Sequence, residues 1–262
     1  MQTTSATYRL LASDLTRTLT QTSAEKPVAL ETAYYLKNIG NIKSIDDFLS
    51  DTRLFKYAMN AFGLSDMDNA KAFMRKVLTE GVSDSSSFAN RLNDERFVRF
   101  AETFNFAANG DQTTASTDAQ QGVVDRYLRQ TLETEVGADN QGVQLALYFQ
   151  REAPNVSSAY GLLGDSALWK VVQTVFGFPD AMANAGIDEQ AAAVNAQLDV
   201  ADLKDPAKLD KLITRFTAMW DATQDTQQDP VISLFSSDMN AAPVDVNLNL
   251  VMTLNTLKHG GT

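Results

Sequence analysis

The stretch LSDTRLFKYAMNAFGL, residues 49–64, returns 114 positions later as LGDSALWKVVQTVFGF, residues 163–178. Aligned without a gap, the two share Leu49/Leu163, Asp51/Asp165, Leu54/Leu168, Lys56/Lys170, Phe62/Phe176 and Gly63/Gly177, and most other pairs exchange one apolar residue for another. In each copy the apolar residues fall on nearly every side of a 3.6-residue period, so each reads as a helix enclosed by the fold rather than lying on it. A self-similar unit at this period predicts two related helical modules. The fold class that follows is all-α: a multi-helix bundle built from two pseudo-repeated helical units, with a helical C-terminal tail.

The likeness extends outward from these stretches. Tyr34-Tyr35 matches Tyr148-Phe149, and Ile42-Lys43-Ser44 matches Val156-Ser157-Ser158. Ser44 and Asp51 have the short polar side chains that cap free helix amides, and Asp47 complements the positive end of a short helix reaching Leu49. Gly63 and Gly177 read as C′ residues in the left-handed conformation, where a β-branched replacement would cost stability. Before this region, Tyr8, Leu11, Leu15 and Leu19 predict one amphipathic opening helix, and a second covers residues 28–39. After it come alanine-rich helices at 67–78 and 188–198. The closing helices run from Asp94 to Phe104 and from Asp205-Pro206 to Phe216, shifted by one or two positions, with proline at N1 after an aspartate cap. The repeated parts span roughly 15–106 and 128–220, which divides the chain into a first helical unit at 1–112, a second at 113–220 and a tail at 221–262.

Residues 107–121 (AANGDQTTASTDAQQ) are small and polar, and are expected to form a mobile linker or surface loop outside any core. Residues 221–229 are of similar composition. Beyond them, Pro230 to Phe235 and the stripe Val244, Leu248, Val251 and Leu254 carry apolar residues again, as a packed segment or a helix for a partner would.

Composition excludes several function classes. With 262 residues and 44% apolar content the chain can bury a core without staples, and the absence of cysteine removes disulfides, thiolate metal sites and thiol nucleophiles. A formal net charge of −11 repels phosphate backbones and anionic lipid, so neither nucleic acid nor a membrane surface is an expected partner. No run approaches the ~20 apolar residues of a membrane helix, and the start (MQTTSATYRLLASDL) lacks a signal peptide's basic and apolar regions. The expectation is a soluble, uncleaved chain.

The search for chemistry assigns no catalytic, cofactor-binding or metal-ligating residue. His259, the single histidine, lies near the chain end and leaves no partner for a triad or a multi-histidine metal site. Gly161-Leu162-Leu163-Gly164 lacks the Lys-Ser/Thr of a phosphate loop and reads as a turn. Asp51/Arg53 and Asp94/Arg96 resemble guanidinium-held acids, yet Ala167 and Ala207 stand at the matching arginine positions, so the shared element is the cap. Asp46-Asp47 and Asp66/Asp68 sit where acids complement helix starts, and Asp221, Asp225 and Asp229 lack the glycine and terminal glutamate of a calcium loop. Tyr34, Tyr35, Phe55, Phe62, Trp169 and Phe176 fall at core positions of helices rather than around a cofactor.

Tyr34 to Ile39 (YYLKNI), residues 44–64 and residues 72–81 (AFMRKVLTEG) resemble the bacterial family called domain of unknown function 1217, most clearly between residues 8 and 106. Genes of that family often stand beside flagellar genes, so the resemblance implies a motility-linked accessory or structural role and carries over no catalytic residue. The chain also shares traits of flagellar export substrates: no cleavable signal, little Cys or His, and amphipathic helices towards both ends. The expectation is a non-enzymatic helical protein that binds other proteins, flagellar components among them. It would be cytoplasmic, or exported through the flagellar apparatus without a cleaved signal. The alternative is a module holding a small ligand between its two repeated halves.

Overall fold

Short polar residues set the ends of most helices, and the chain runs from cap to cap. The computed structural model describes residues 3–92 and 94–227; the apolar tail segments, His259 and Asp229 lie outside the described residues. Among the described residues there is no strand, and the molecule is all-α.

The opening stretch forms two helices rather than one, α1 (Thr4–Ser13) and α2 (Leu15–Ala24). Asp14 leaves helical geometry (φ −138°, ψ 57°) and its carboxylate accepts the Arg17 amide, so a capping residue placed mid-stripe divides it. Next come α3 (Lys26–Ile39), α4 (Ile45–Ser50), capped by Ser44, and α5 (Thr52–Ala61), capped by Asp51. Helix α5 buries Leu54, Phe55, Tyr57, Ala58, Met59 and Ala61, as its all-round apolar pattern requires. It ends in a Schellman motif: the Leu64 amide donates to Met59, the Gly63 amide donates to Asn60, and Gly63 sits at φ 68°.

The alanine-rich helix starts later than its composition suggests, as α6 (Lys71–Glu80), because residues 65–67 form a separate 3₁₀ turn. Helices α7 (Glu95–Thr103), capped by Asp94, and α8 (Phe106–Asn109) close the first half. Its core gathers Tyr35, Phe48, Phe55, Phe62, Phe100 and Phe104, with the Phe48 and Phe104 ring centroids 4.6 Å apart.

Residues 107–121 overturn the expectation of a loop outside the core. They wind through α8, a 3₁₀ turn (Gly110–Ala115) and a π turn (Asp118–Gly122), and bury Thr113, Thr114 and Ala119. Thr114 Oγ1 donates to the Ile42 carbonyl at 2.7 Å, and the Tyr35 hydroxyl donates to the Ala119 carbonyl at 2.6 Å. Small residues close this side of the core because they let the backbone come near enough for its carbonyls to satisfy buried hydroxyls.

The second half is α9 (Val123–Asp139), α10 (Gln141–Glu152), α11 (Ala159–Gly164), α12 (Ser166–Phe176), α13 (Ile187–Gln197) and α14 (Pro206–Gln227). Gly161 to Gly164, expected as a turn, form the last turn of α11. Residues 221–227, expected as linker, continue α14. Asp165 caps α12, Gly177 ends it at φ 67°, and the Phe178 amide donates to the Gln173 carbonyl, as Leu64 does to Met59 in the first half.

Contacts divide the chain after Asp221, and Met1–Asp221 forms one compact unit. Within it a second core centres on Val143, Leu147, Phe149, Val171, Val172, Ile213 and Phe216. Tyr8 of α1 belongs to this second cluster, while Val123 and Val124 of α9 belong to the first. The crossing of α1 is anchored by Asp221, whose carboxylate accepts the Thr4 amide at 2.9 Å, and by Gly142, where a Cβ would stand 2.4 Å from Trp220 Cδ1. Only glycine lets α1, α10 and α14 meet there.

Candidate functional site

Helices α7, α9, α10 and the start of α12 bring charged side chains of both halves into one place. On α9, Arg126, Arg129, Gln130 and Glu133 follow at spacings of three and four and share a face, as do Gln144, Tyr148, Arg151 and Glu152 on α10. Glu133, with a side chain 1% exposed, accepts Arg129 Nε at 3.1 Å, Arg151 Nε at 2.9 Å and Arg151 Nη2 at 2.6 Å. Arg151 also reaches Gln130 Oε1 at 2.9 Å and pairs with Glu152, which in turn holds Arg99 of α7. Arg129 Nη2 completes the set on Gln150 Oε1 at 3.0 Å. Burial lowers the Arg151 pKa, but hydrogen bonding and charge from Glu133 outweigh it and raise the pKa above the ordinary arginine value.

Beside this network, the Tyr148 hydroxyl donates to Asp165 Oδ2 at 2.6 Å, and Asp165 Oδ1 accepts the Ala167 and Leu168 amides at 2.9 and 3.1 Å. Burial first, then the Asp165 charge and hydrogen bond, push the Tyr148 phenol well up from its ordinary value. Arg96 grips Asp94 with two nitrogens and donates through Nη1 to the Gly63 carbonyl at 2.7 Å. The Gly63 carbonyl at the end of the first buried helix is thus tied to the same region.

A cleft of about 450 Å³ opens over these groups, lined by Arg96, Gln130, Gln144, Tyr148, Lys170 and Trp220 among others. Its size falls within the ~300–1,000 Å³ of small-molecule sites. Its lining is rich in side-chain amides, and each nearby carboxylate is already engaged: Glu133 between two arginines, Asp165 in a cap and a phenol bond, Asp94 on Arg96. Such an arrangement can orient and hydrogen-bond a polar molecule.

The residue pairs weighed from sequence fall elsewhere. Asp46 pairs with Arg75, and Asp47 accepts the Lys43 amide at 3.2 Å while Ser44 Oγ bonds its own amide; the Ser44 and Lys43 contacts lower its pKa. Asp68 pairs with Lys56 at 3.0 Å, apart from exposed Asp66. Arg53 turns from Asp51 to Glu31, with two bonds of 2.9 and 3.0 Å, whereas Asp94 and Arg96 do form a pair. Among the described residues, no three His, Cys, Asp or Glu gather as a metal site, and no helix is long and apolar enough to cross a membrane. Sequence reading missed the Arg129–Glu133–Arg151–Glu152 network. Its available signal was the three-and-four spacing of charges along α9 and α10, and the equal separation of Tyr34 from Asp51 and Tyr148 from Asp165.

These features define an all-α protein with two aromatic and aliphatic cores joined through a buried ionic network. The chain belongs to the family described as protein of unknown function (DUF1217), whose sequence model matches residues 61–209. The X-ray crystal structure of protein AGR_C_984 from Agrobacterium tumefaciens is similar over 82% of this chain and 91% of that one, with a TM-score of 0.78 and 48% sequence identity. No curated protein matches the chain.

Proposed function

We propose that this chain is a non-enzymatic interaction or structural accessory protein, linked to the bacterial flagellum. The observation that carries the interaction role is a pair of exposed leucines on α3, Leu30 and Leu36, which are 56% and 43% exposed while Val28, Tyr35 and Ile39 of the same helix are buried. Apolar side chains left in water gain free energy when a partner covers them. The engaged state of the buried carboxylates supports the non-enzymatic half of the reading. The flagellar link is supported by the family resemblance and by the traits the sequence shares with flagellar export substrates. Deleting the gene and capturing tagged protein from cells and spent medium tests it: impaired swimming together with recovery of hook, basal-body or export components is the expected result. Normal swimming with no such component recovered would remove the flagellar link.

The cleft favours a second reading, a small polar ligand held between the halves. A thermal-shift screen of polar metabolites checks it, since a ligand bound at 100 times its Kd stabilises the folded state by about 2.7 kcal/mol. A screen without any shift leaves the interaction role standing alone.

A further inference from the structure

A second concavity, floored by residues of the second core, has a different character. It lies between the end of α12, the end of α13 with the following 3₁₀ turn (Val200–Lys204), and the first half of α14. Its floor is Val175, Leu198, Leu203 and Leu212, its rim carries the three cations Lys208, Lys211 and Arg215 beside a single acid, Asp202, and it encloses about 240 Å³. That is below the usual range of small-molecule sites and suits one or two apolar side chains. The three cations follow at spacings of three and four along α14, so they form one exposed stripe on a chain whose net charge is −11. Lys208 is paired with Asp202 and the Arg215 guanidinium stands 5.7 Å from the Phe176 ring, but Lys211 has no partner among the described residues.

The chain itself shows what this helix face takes when it is covered. With α7 set against α14 at an offset of 112, Phe97, Ala101 and Phe104 match Leu209, Ile213 and Phe216, all buried. This register lies one residue beyond the cap-to-cap match of Asp94 with Asp205 that sets Arg96 against Ala207, and in it Arg96 matches Lys208 and Arg99 matches Lys211. Arg99 is paired with the Glu152 carboxylate of the second half. Among the described residues nothing supplies that carboxylate to Lys211.

We infer that the groove bounded by α12, α13 and α14 docks a short acidic segment of a partner protein, with an apolar side chain seated on Leu198, Leu203 and Leu212 and a carboxylate on Lys211 and Arg215. This rests on the interaction reading and names the chemistry of the partner. A concave site on a strongly acidic chain does not suit a flat anionic membrane, which would meet repulsion from the rest of the molecule.

The test uses the full chain and three labelled twelve-residue peptides: one with two leucines flanked by glutamates, one with lysines for the glutamates, and one with serines for the leucines. Fluorescence anisotropy is expected to show saturable binding of the first alone, weakening as salt is raised. The double variant K211E/R215E changes two exposed side chains, keeps its melting temperature, and is expected to weaken binding about tenfold or more, roughly 1.4 kcal/mol or above. Equal binding of the acidic and basic peptides, or no binding up to about 1 mM, a bound of about −4.1 kcal/mol, would overturn the inference. So would unchanged affinity of the double variant. Binding of vesicles containing phosphatidylserine but not of the acidic peptide would point to lipid instead. Peptide binding seen only after removal of residues 228–262 would reassign the groove to that stretch. Any of these leaves the swimming and capture results untouched, so the groove can fail while the interaction role stands.

Discussion

Two tyrosine–aspartate pairs, Tyr34 with Asp51 and Tyr148 with Asp165, perform the same local task in different surroundings. In each, the phenol donates to the aspartate that caps the next buried helix, at 2.9 Å in the first half and 2.6 Å in the second. The first pair lies near the surface, where Arg53 stands 4.0 Å over the Tyr34 ring and bonds Glu31. The second lies beside the buried Glu133 network, with Arg151 5.1 Å over the Tyr148 ring. One motif therefore serves as a solvated corner and as part of an interior electrostatic joint. Desolvation separates the two: a water-exposed bond can exchange its partners for solvent, whereas a buried one cannot.

The largest test of this difference is Glu133→Ala. It leaves Arg129 and Arg151 buried without their shared carboxylate, and breaking a buried pair in this way costs about 3–5 kcal/mol. Urea denaturation should register that loss, and a loss below about 1 kcal/mol would show that the network behaves as a surface pair. Next in size is Tyr148→Phe, which leaves one Asp165 oxygen short of a donor at a cost of about 1–3 kcal/mol. Tyr34→Phe is expected to cost less, because water replaces the lost donor. Equal losses in the two tyrosine variants would erase the contrast.

A pH titration sharpens the comparison without mutation. Burial, the Asp210 charge second, raises the Tyr8 pKa from 10.0 to about 12, and Tyr35, Tyr57 and Tyr148 are also raised, burial leading in each. A folded-state pKa above the unfolded value means that the neutral phenol's contribution is complete below pH 10 and is lost as pH rises through the folded value, near 12 for Tyr8. Stability should therefore fall with rising pH in that window. Absorbance at the phenolate band should rise together with loss of helical circular dichroism, since these four phenols ionise on unfolding. Phenolate appearing in full while the helices persist would contradict their burial.

What the sequence disclosed divides along the same line between local and distant causes. The caps at Ser44, Asp51, Asp94, Asp165 and Asp205 and the left-handed glycines at 63 and 177 were legible, because a helix end is decided within a few residues. The break at Asp14 was equally local, but a regular apolar stripe concealed it. The segment 107–121 was misread because composition reports how much surface a residue can bury. It is silent on whether a carbonyl 72 positions away, that of Ile42, needs the hydroxyl of Thr114. The candidate site was illegible for the same reason: Arg99 and Glu152 are 53 positions apart, and neither residue alone signals a buried partner.

The smallest expected effect closes the comparison. Arg53 and Glu31 form a well-aligned pair, but their side chains are 46% and 39% exposed, and Ala167 and Leu145 stand 114 positions further on. Coulomb energy at such a site is screened by water and ions, and holding two long side chains in place offsets much of the rest. Arg53→Ala should therefore change the unfolding midpoint only slightly at low salt, and the change should vanish in 0.5 M salt, where the Debye length is only several ångströms (~3 Å at 1 M). The loss in Glu133→Ala, by contrast, should persist, because ions do not reach a side chain 1% exposed. A salt-resistant loss at Arg53 would mean that its packing over Tyr34 holds the first corner as firmly as the ionic network holds the second.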